Sequence, residues 1–237
     1  VSAFSPDGTV PTDTAKLEKH GVARLAPQWI KENCIQCNRC SFVCPHACIR
    51  PFLAEEGTPL PEEFETIPAV GFKGYRFRIQ LSVHDCMGCE LCARICPAKE
   101  KALVMKSVEE LRSREGKNWK IATELPPPPE SLYKTNTVKG SQFARPLFEF
   151  SYACAGCGET AYIKLLTQLF GKRLLIANAT GCSSIYGGSA PTCPYAKADD
   201  GKGPAWANSL FEDNAEFGLG MRLAQEVSGK NSPSVWC

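Results

Sequence analysis

The chain contains one cysteine pattern twice, as Cys34-Ile-Gln-Cys-Asn-Arg-Cys-Ser-Phe-Val-Cys-Pro45 and as Cys86-Met-Gly-Cys-Glu-Leu-Cys-Ala-Arg-Ile-Cys-Pro97. Spacing and proline are the same in both copies, which indicates an internal duplication. Short apolar segments accompany the second copy, 77–83 before it and 102–105 after it. We therefore expect a repeated unit of strand, cysteine loop and short helix.

Each copy can supply three corners of a 4Fe-4S cube from its closely spaced cysteines. The fourth ligand must come from elsewhere, and in a two-cluster arrangement the cysteine before the proline ligates the other cluster. The pattern thus predicts two neighbouring clusters with crossed ligands. We assign one cluster to Cys34, Cys37, Cys40 and Cys96, and the second to Cys86, Cys89, Cys92 and Cys44.

Paired zinc knuckles and a disulfide scaffold are the alternatives for so many cysteines. Zinc sites rarely use three cysteines so closely spaced and followed by Cys-Pro, and disulfide-rich chains are usually short and secreted. Cys48 follows a ligand set that is already complete, so we expect a small buried apolar side chain. His46 and His84 flank the motifs, where they either tune a cluster or simply bind backbone or solvent.

Composition limits the other classes of function. Lys plus Arg number 27 against 25 Asp plus Glu, a balance that gives no reason to expect nucleic acid or an anionic membrane as partner. The first 14 residues do not resemble an export signal, and no apolar run is long enough to span a bilayer. Fourteen cysteines in 237 residues, clustered in CxxC spacings, favour soft metal ligation in a reducing, oxygen-poor cytoplasm.

Composition divides the chain into four parts. Residues 1–27 are expected to be a connecting segment, and residues 28–108 an α+β ferredoxin-like domain with an insertion at 50–80 that covers one cluster. Residues 109–144 are polar, include four consecutive prolines, and are expected to be a linker. From 145 onwards helix and strand alternate, which is typical of α/β folds.

A second cysteine group follows the linker. Cys154 and Cys157 immediately precede a predicted helix that ends at Gly171, a terminus that favours thiolates and other anions. Tyr162, Leu165, Leu166 and Leu169 fall on one face of this helix at helical spacing. A strand and then Cys182 come next, at the strand end where ligands of open α/β sheets bind. Taken alone, this group also fits zinc or a redox dithiol.

Four stretches together make nearly the whole chain similar to the pyruvate:ferredoxin (flavodoxin) oxidoreductase family. They are Cys34-Ile-Gln-Cys-Asn-Arg-Cys-Ser-Phe-Val-Cys-Pro-His46, Ala153-Cys-Ala-Gly-Cys-Gly-Glu-Thr160, Thr180-Gly-Cys-Ser-Ser-Ile-Tyr-Gly-Gly188 and Gly203-Pro-Ala-Trp-Ala-Asn-Ser-Leu-Phe-Glu-Asp-Asn-Ala-Glu-Phe-Gly218. The resemblance implies oxidative decarboxylation of pyruvate on thiamine diphosphate, transfer of the acetyl group to CoA, and electron transfer through 4Fe-4S clusters to ferredoxin or flavodoxin.

The resemblance also implies roles for residues in the last part of the chain. Cys154, Cys157 and Cys182 resemble three ligands of the cluster nearest thiamine, and Glu159 and the Cys182 backbone resemble contacts to thiamine diphosphate itself. Residues 145–237 would then be the N-terminal part of an α/β thiamine diphosphate-binding domain. The family's homodimeric, cytoplasmic character is implied in the same way.

Some family features have no counterpart in this sequence. A Gly-Asp-Gly motif for magnesium is missing, the fourth ligand of the thiamine-proximal cluster has no match, and Cys193 is only a conceivable substitute. We therefore expect a fragment of a longer enzyme, with no catalytic residue of its own. The alternative is a stand-alone ferredoxin-like electron carrier whose second domain docks it to a partner.

Overall fold

The fold is described from a computed structural model that covers residues 6–7, 9–227 and 235–236. Strands β1 to β8 span Leu25–Trp29, Ile49–Glu55, Ile67–Pro68, Tyr75–Leu81, Leu103–Ser107, Leu174–Ala179, Ala205–Ser209 and Val235–Trp236. Helices α1 to α7 span Arg39–Val43, Leu91–Ile95, Val108–Glu124, Val138–Ser141, Thr160–Phe170, Cys182–Ser184 and Asn214–Val227. Cys237 and the first five residues of the leading segment lie outside the described residues.

The cysteine-rich part is built from two antiparallel sheets and two short helices. β1 pairs with β5, while β4 lies between β2 and β3. Each cysteine repeat ends in a short helix, α1 or α2, and the two helices pack against each other. The strands expected at 77–83 and 102–105 are present as β4 and β5, so this part of the chain has the α+β character of a two-cluster ferredoxin-like region.

The core of this part lies beneath the cysteine loops. Phe77 of β4 is fully buried, with its ring edge-on to Trp29 at 6.3 Å and to Phe143 at 6.4 Å between ring centroids. Such edge-to-face contacts stabilise aromatic clusters beyond the burial of their area. The strands on which the cysteine loops rest are therefore anchored to one rigid apolar centre.

The stretch 109–144, expected to be a linker, instead begins with the 17-residue helix α3. α3 packs on β4, where Glu115 is buried among Arg78, Gln80 and Arg114. Asn118 of the same face donates a hydrogen bond to the Glu63 carbonyl oxygen. The buried stripe of α3 is thus partly polar, and its hydrogen bonds replace the apolar pattern that would have indicated a helix.

The last part of the chain has a parallel sheet in the order β7, β6, β8. α5 precedes β6 and ends at Phe170, just before the expected Gly171. The expected apolar face of α5 is only partly buried: Tyr162 is 72% exposed and its three leucines are half-buried, while Lys164, Thr167 and Gln168 are buried. α5 turns this polar face towards α1 of the cysteine-rich part, where Lys164 forms hydrogen bonds, while Ile163 and Leu166 pack against the apolar core beside β6.

None of the described helices is both long and apolar enough to cross a lipid bilayer.

Candidate iron-sulfur centres

The first cavity is lined by Cys34, Cys37, Cys40 and Cys96. These are the four cysteines that the crossed pattern predicted for one cluster, three from the first repeat and one from the second. The cavity has an apolar wall that includes Trp29. Four sulfur donors around a water-poor space are the environment that 4Fe-4S clusters occupy in proteins.

The second cavity is lined by Cys44, Cys86, Cys89 and Cys92. Here too, three cysteines come from one repeat and one from the other. Cys48 also borders this cavity, but its thiol donates a hydrogen bond to the Asp85 carbonyl oxygen at 2.9 Å. The geometry therefore brings together both predicted sets of four.

Strands β1, β4 and β5 each contribute one side chain to the first cavity and another, two positions away, to the second. Successive side chains on one face of a strand are separated by two residues, so a single strand can contribute to both cavities from the same face. The pairs, given with the first-cavity residue first, are Trp29 and Pro27 of β1, Ile79 and Leu81 of β4, and Leu103 and Met105 of β5. The two cavities thus share one sheet framework.

The backbone of the two cysteine loops repeats as closely as their sequence. Gln36 and Gly88, the equivalent residues before the second cysteine, have φ of 57° and 68°. Asn38 and Glu90, the residues after it, have φ of 59° and 64°. Three of these four residues are not glycine, and this left-handed conformation is unfavourable for them. Its recurrence at both positions of both loops shows that the wrapped loop shape is imposed by the fold.

The insertion is tied to the first loop by the Gln36 side chain. Its amide donates to the Pro68 carbonyl oxygen at 2.7 Å and accepts from the Val70 amide at 2.8 Å. β3 and the segment that follows it therefore lie beside the first cavity.

Most thiols in the cavities are strongly biased towards the neutral form. Burial raises the pKa of Cys86 to about 12 and raises those of Cys40 and Cys92 still further. Because the thiolate is the species that binds metal, these cysteines would lose their protons only to a cation that replaces them. Cys44 differs, since contact with the Cys48 thiol, followed by the charges of Lys164 and His46, holds its pKa well below the usual value despite burial.

All thirteen cysteines within the described residues are free thiols. No group of three or more His, Cys, Asp or Glu side chains in the same residues is arranged to hold a single metal ion.

The third cysteine set lies at the start of the parallel sheet. Cys154 and Cys182 are exposed and Cys157 is half-buried, with its amide bound to the Cys154 carbonyl oxygen at 3.0 Å. Tyr186, on the turn that follows Cys182, is buried, and burial together with the nearby Glu159 carboxylate raises its pKa. Tyr186 therefore brings the turn after Cys182 close to the Cys157 and Glu159 segment.

Two contacts connect this third set to the second cavity. Gly156 has φ of 76°, and a Cβ placed there would lie 3.5 Å from the Cβ of Cys89. His46 is buried, and its Nε2 lies 3.2 Å from the Cys154 carbonyl oxygen. The second cavity is thus adjacent both to the first cavity and to the third cysteine set.

Sequence reasoning missed Lys164, which is 1% exposed. Its ammonium donates hydrogen bonds to the carbonyl oxygens of Ser41, Phe42 and Cys44. Burial lowers the pKa of Lys164 to about 8, although the charges of nearby thiolates act in the opposite direction. A lysine on a helix is normally a surface residue, and no spacing in the sequence distinguishes this one.

Comparison with known proteins also indicates a two-cluster domain in the cysteine-rich part. Residues 33–100 match the family described as 4Fe-4S dicluster domain. The chain is 59% identical over 228 residues to pyruvate:ferredoxin oxidoreductase of Moorella thermoacetica, covering 94% of this chain and 19% of that protein. Pyruvate-flavodoxin oxidoreductase of Klebsiella pneumoniae is 56% identical over 231 residues, which is 96% of this chain and 20% of that protein.

This chain is homologous to one portion of the pyruvate:ferredoxin and pyruvate-flavodoxin oxidoreductases. It spans about a fifth of the length of these curated relatives. The pyruvate dehydrogenase [NADP(+)] of Cryptosporidium parvum is also 54% identical over 226 residues, which is 93% of this chain and 12% of that protein. Because the similarity extends through the cysteine-rich part and the part that follows it, a stand-alone ferredoxin-like carrier is not favoured.

Proposed function

We propose that the chain is the electron-transfer portion of a 2-oxoacid oxidoreductase. Residues 28–108 would hold two 4Fe-4S clusters, and residues 145–237 would begin a thiamine diphosphate-binding domain. The complete enzyme would convert pyruvate and CoA to acetyl-CoA and CO₂ and reduce ferredoxin or flavodoxin. The observation that carries this proposal is the pair of adjacent cavities, each lined by four cysteines in crossed combination.

The residues around the two cavities suit the proposed clusters chemically. A 4Fe-4S cluster supplies one-electron oxidation and reduction. Four thiolates would hold each cluster, and the apolar side chains of β1, β4 and β5 would exclude water from it. The Gly88 amide donates a hydrogen bond to the Cys86 sulfur at 3.4 Å, and such bonds to ligand sulfur raise the reduction potential of a cluster.

The exposed face beside β6 suits the proposed thiamine diphosphate and third cluster. Glu159 and Cys182 are both exposed there, and Cys182 follows the carboxyl end of β6, where open α/β sheets bind ligands. Thiamine diphosphate supplies stabilisation of a carbanion. Cys154, Cys157 and Cys182 would provide three ligands of the third cluster, and the fourth ligand and the magnesium ligands would come from other parts of the enzyme.

The free thiols of the described cysteines support a reducing compartment, which we take to be the cytoplasm. The family resemblance further supports a homodimer of the full-length chain as the working enzyme.

Iron and acid-labile sulfide should be measured per chain after purification without oxygen, with electron paramagnetic resonance of the reduced protein. About eight irons and a signal from two interacting clusters are the expected result for the two cavities. About twelve irons would mean that the third site is complete within this chain, with Cys193 or Cys237 as its fourth ligand. Stoichiometric zinc, or a colourless protein after reconstitution with iron and sulfide, would overturn the proposal.

The thiamine assignment needs the full-length enzyme. There, changing Glu159 to alanine is expected to weaken binding of thiamine diphosphate at least tenfold without lowering the iron content. The same change at the exposed Glu130 serves as the control. Equal cofactor affinity in the two variants would remove Glu159 from the site.

A further inference from the structure

Lys164 is a buried charged group that contacts the helix α1, whose cysteines line both cavities. Its ammonium contacts the carbonyl oxygen of Cys44, which lines the second cavity, and those of Ser41 and Phe42, which follow Cys40 of the first cavity. All these residues belong to α1 or its C-terminal end. A single side chain from the following part of the chain thus touches α1, one of the two helices that contribute cysteines to both cavities.

Helix geometry accounts for the direction of these contacts but not for the choice of a lysine. The last carbonyl oxygens of a helix lack partners within it and carry partial negative charge, so a cation or any neutral donor can satisfy them. Burying a full charge is costly unless an opposite charge compensates it. A neutral amide donor at this position would therefore satisfy the same carbonyl oxygens at a lower desolvation cost.

No Asp or Glu among the described residues forms a salt bridge with Lys164. Arg50 and Lys19 near the cavities have carboxylate partners, Glu149 and Asp85, whereas Lys101 and Lys139 bind backbone carbonyl oxygens but are not buried. Lys164 is thus a buried positive charge for which this part of the chain provides no carboxylate. What faces it instead is the cysteine-bearing helix.

We infer that Lys164 is a positioning residue that acts as the counter-charge of the two clusters and raises their reduction potentials. The inference rests on the proposed function, because four thiolates give each bound cluster its negative charge. Reduction adds a further negative charge, so a fixed positive charge nearby stabilises the reduced form more than the oxidised form. Net charge around a cluster is one of the factors that set its potential.

The test is an anaerobic redox titration of the reconstituted chain, followed by electron paramagnetic resonance, with K164Q compared to the wild type. Glutamine keeps a hydrogen-bond donor but removes the charge. We expect the equilibrium constant for one-electron reduction to fall about tenfold, equivalent to a potential about 59 mV more negative. K164R, which retains the charge, should restore most of the difference, and a purely structural role would not produce this ordering.

The exposed Lys172, paired with Asp200 at the surface, provides the matched control, and K172Q should leave both potentials unchanged. If K164Q binds no iron, Q142E takes its place. Gln142 is buried and accepts a hydrogen bond from the Ser41 hydroxyl at 2.9 Å, so a carboxylate there opposes the Lys164 charge without removing it. Q142E should also make the potentials more negative.

Unchanged potentials in K164Q, or in Q142E where K164Q fails to assemble, would overturn the role of Lys164 and leave the proposed function intact. A wild-type chain that binds no iron would overturn the proposed function itself. The two failures are therefore distinguished by the iron content of the wild type.

Discussion

Cys44 and Cys48 lie four residues apart and both border the second cavity, yet we expect only Cys44 to matter for iron binding. Replacing Cys44 by alanine should lower the iron content from about eight to about four per chain, because one cluster loses a ligand and the other keeps all four. Replacing Cys48 by alanine should leave about eight irons.

The structure gives the reason for this difference. Contact with the Cys48 thiol and the charge of Lys164 hold the pKa of Cys44 well below its usual value, which favours the thiolate form that binds metal. Burial raises the pKa of Cys48, whose thiol is already engaged with the Asp85 carbonyl oxygen. Deleting its buried sulfur should cost about 1 kcal/mol in the free energy of unfolding, the scale for losing one heavy atom from a core.

The assay is iron and sulfide analysis of both variants after identical anaerobic reconstitution, with electron paramagnetic resonance to show whether the interaction between two clusters persists. Circular dichroism of each variant checks that the chain is folded. The crossed assignment would be refuted if the Cys48 variant lost half of its iron while the Cys44 variant kept all of it.

Two predictions concern stability. Gly188→Ala should lower the thermal midpoint of unfolding, because the new Cβ would lie 2.7 Å from the Trp206 ring. Gly220→Ala is the control, since a Cβ there meets open space and should leave the midpoint unchanged or raise it slightly. Calorimetry of the two variants measures both midpoints. Glu115→Ala should lower the free energy of unfolding by about 3 kcal/mol, because it leaves the buried Arg78 without its carboxylate partner. A urea unfolding curve identical to that of the wild type would contradict this expectation.

Sequence alone predicted the cysteine-rich part well because metal ligands impose strict spacing. The repeat predicted β4, β5 and the two sets of four cysteines that line the cavities, because in two-cluster domains the cysteine before the proline ligates the other cluster. It could not give the left-handed conformation of Gln36 or Glu90, because neither residue type favours it.

The parts that sequence did not predict are those in which polar residues do the packing. The stretch that begins with α3 was expected to be a linker because it is polar, yet α3 buries Glu115 and Asn118. The apolar spacing of α5 likewise gave no indication that Lys164 and Gln168 are buried. Periodicity of apolar residues cannot detect a face held by hydrogen bonds, since the partners of those bonds come from distant segments.

The sharing of β1, β4 and β5 between the two cavities fixes how far apart their centres can lie. Side chains two positions apart on a strand are separated by about 6.8 Å of backbone rise, whatever residues occupy them. Substitutions in the walls can therefore alter polarity and water access while leaving the spacing nearly unchanged. Since electron tunnelling depends steeply on distance, this architecture lets the potentials of two bound clusters evolve separately from the rate of exchange between them.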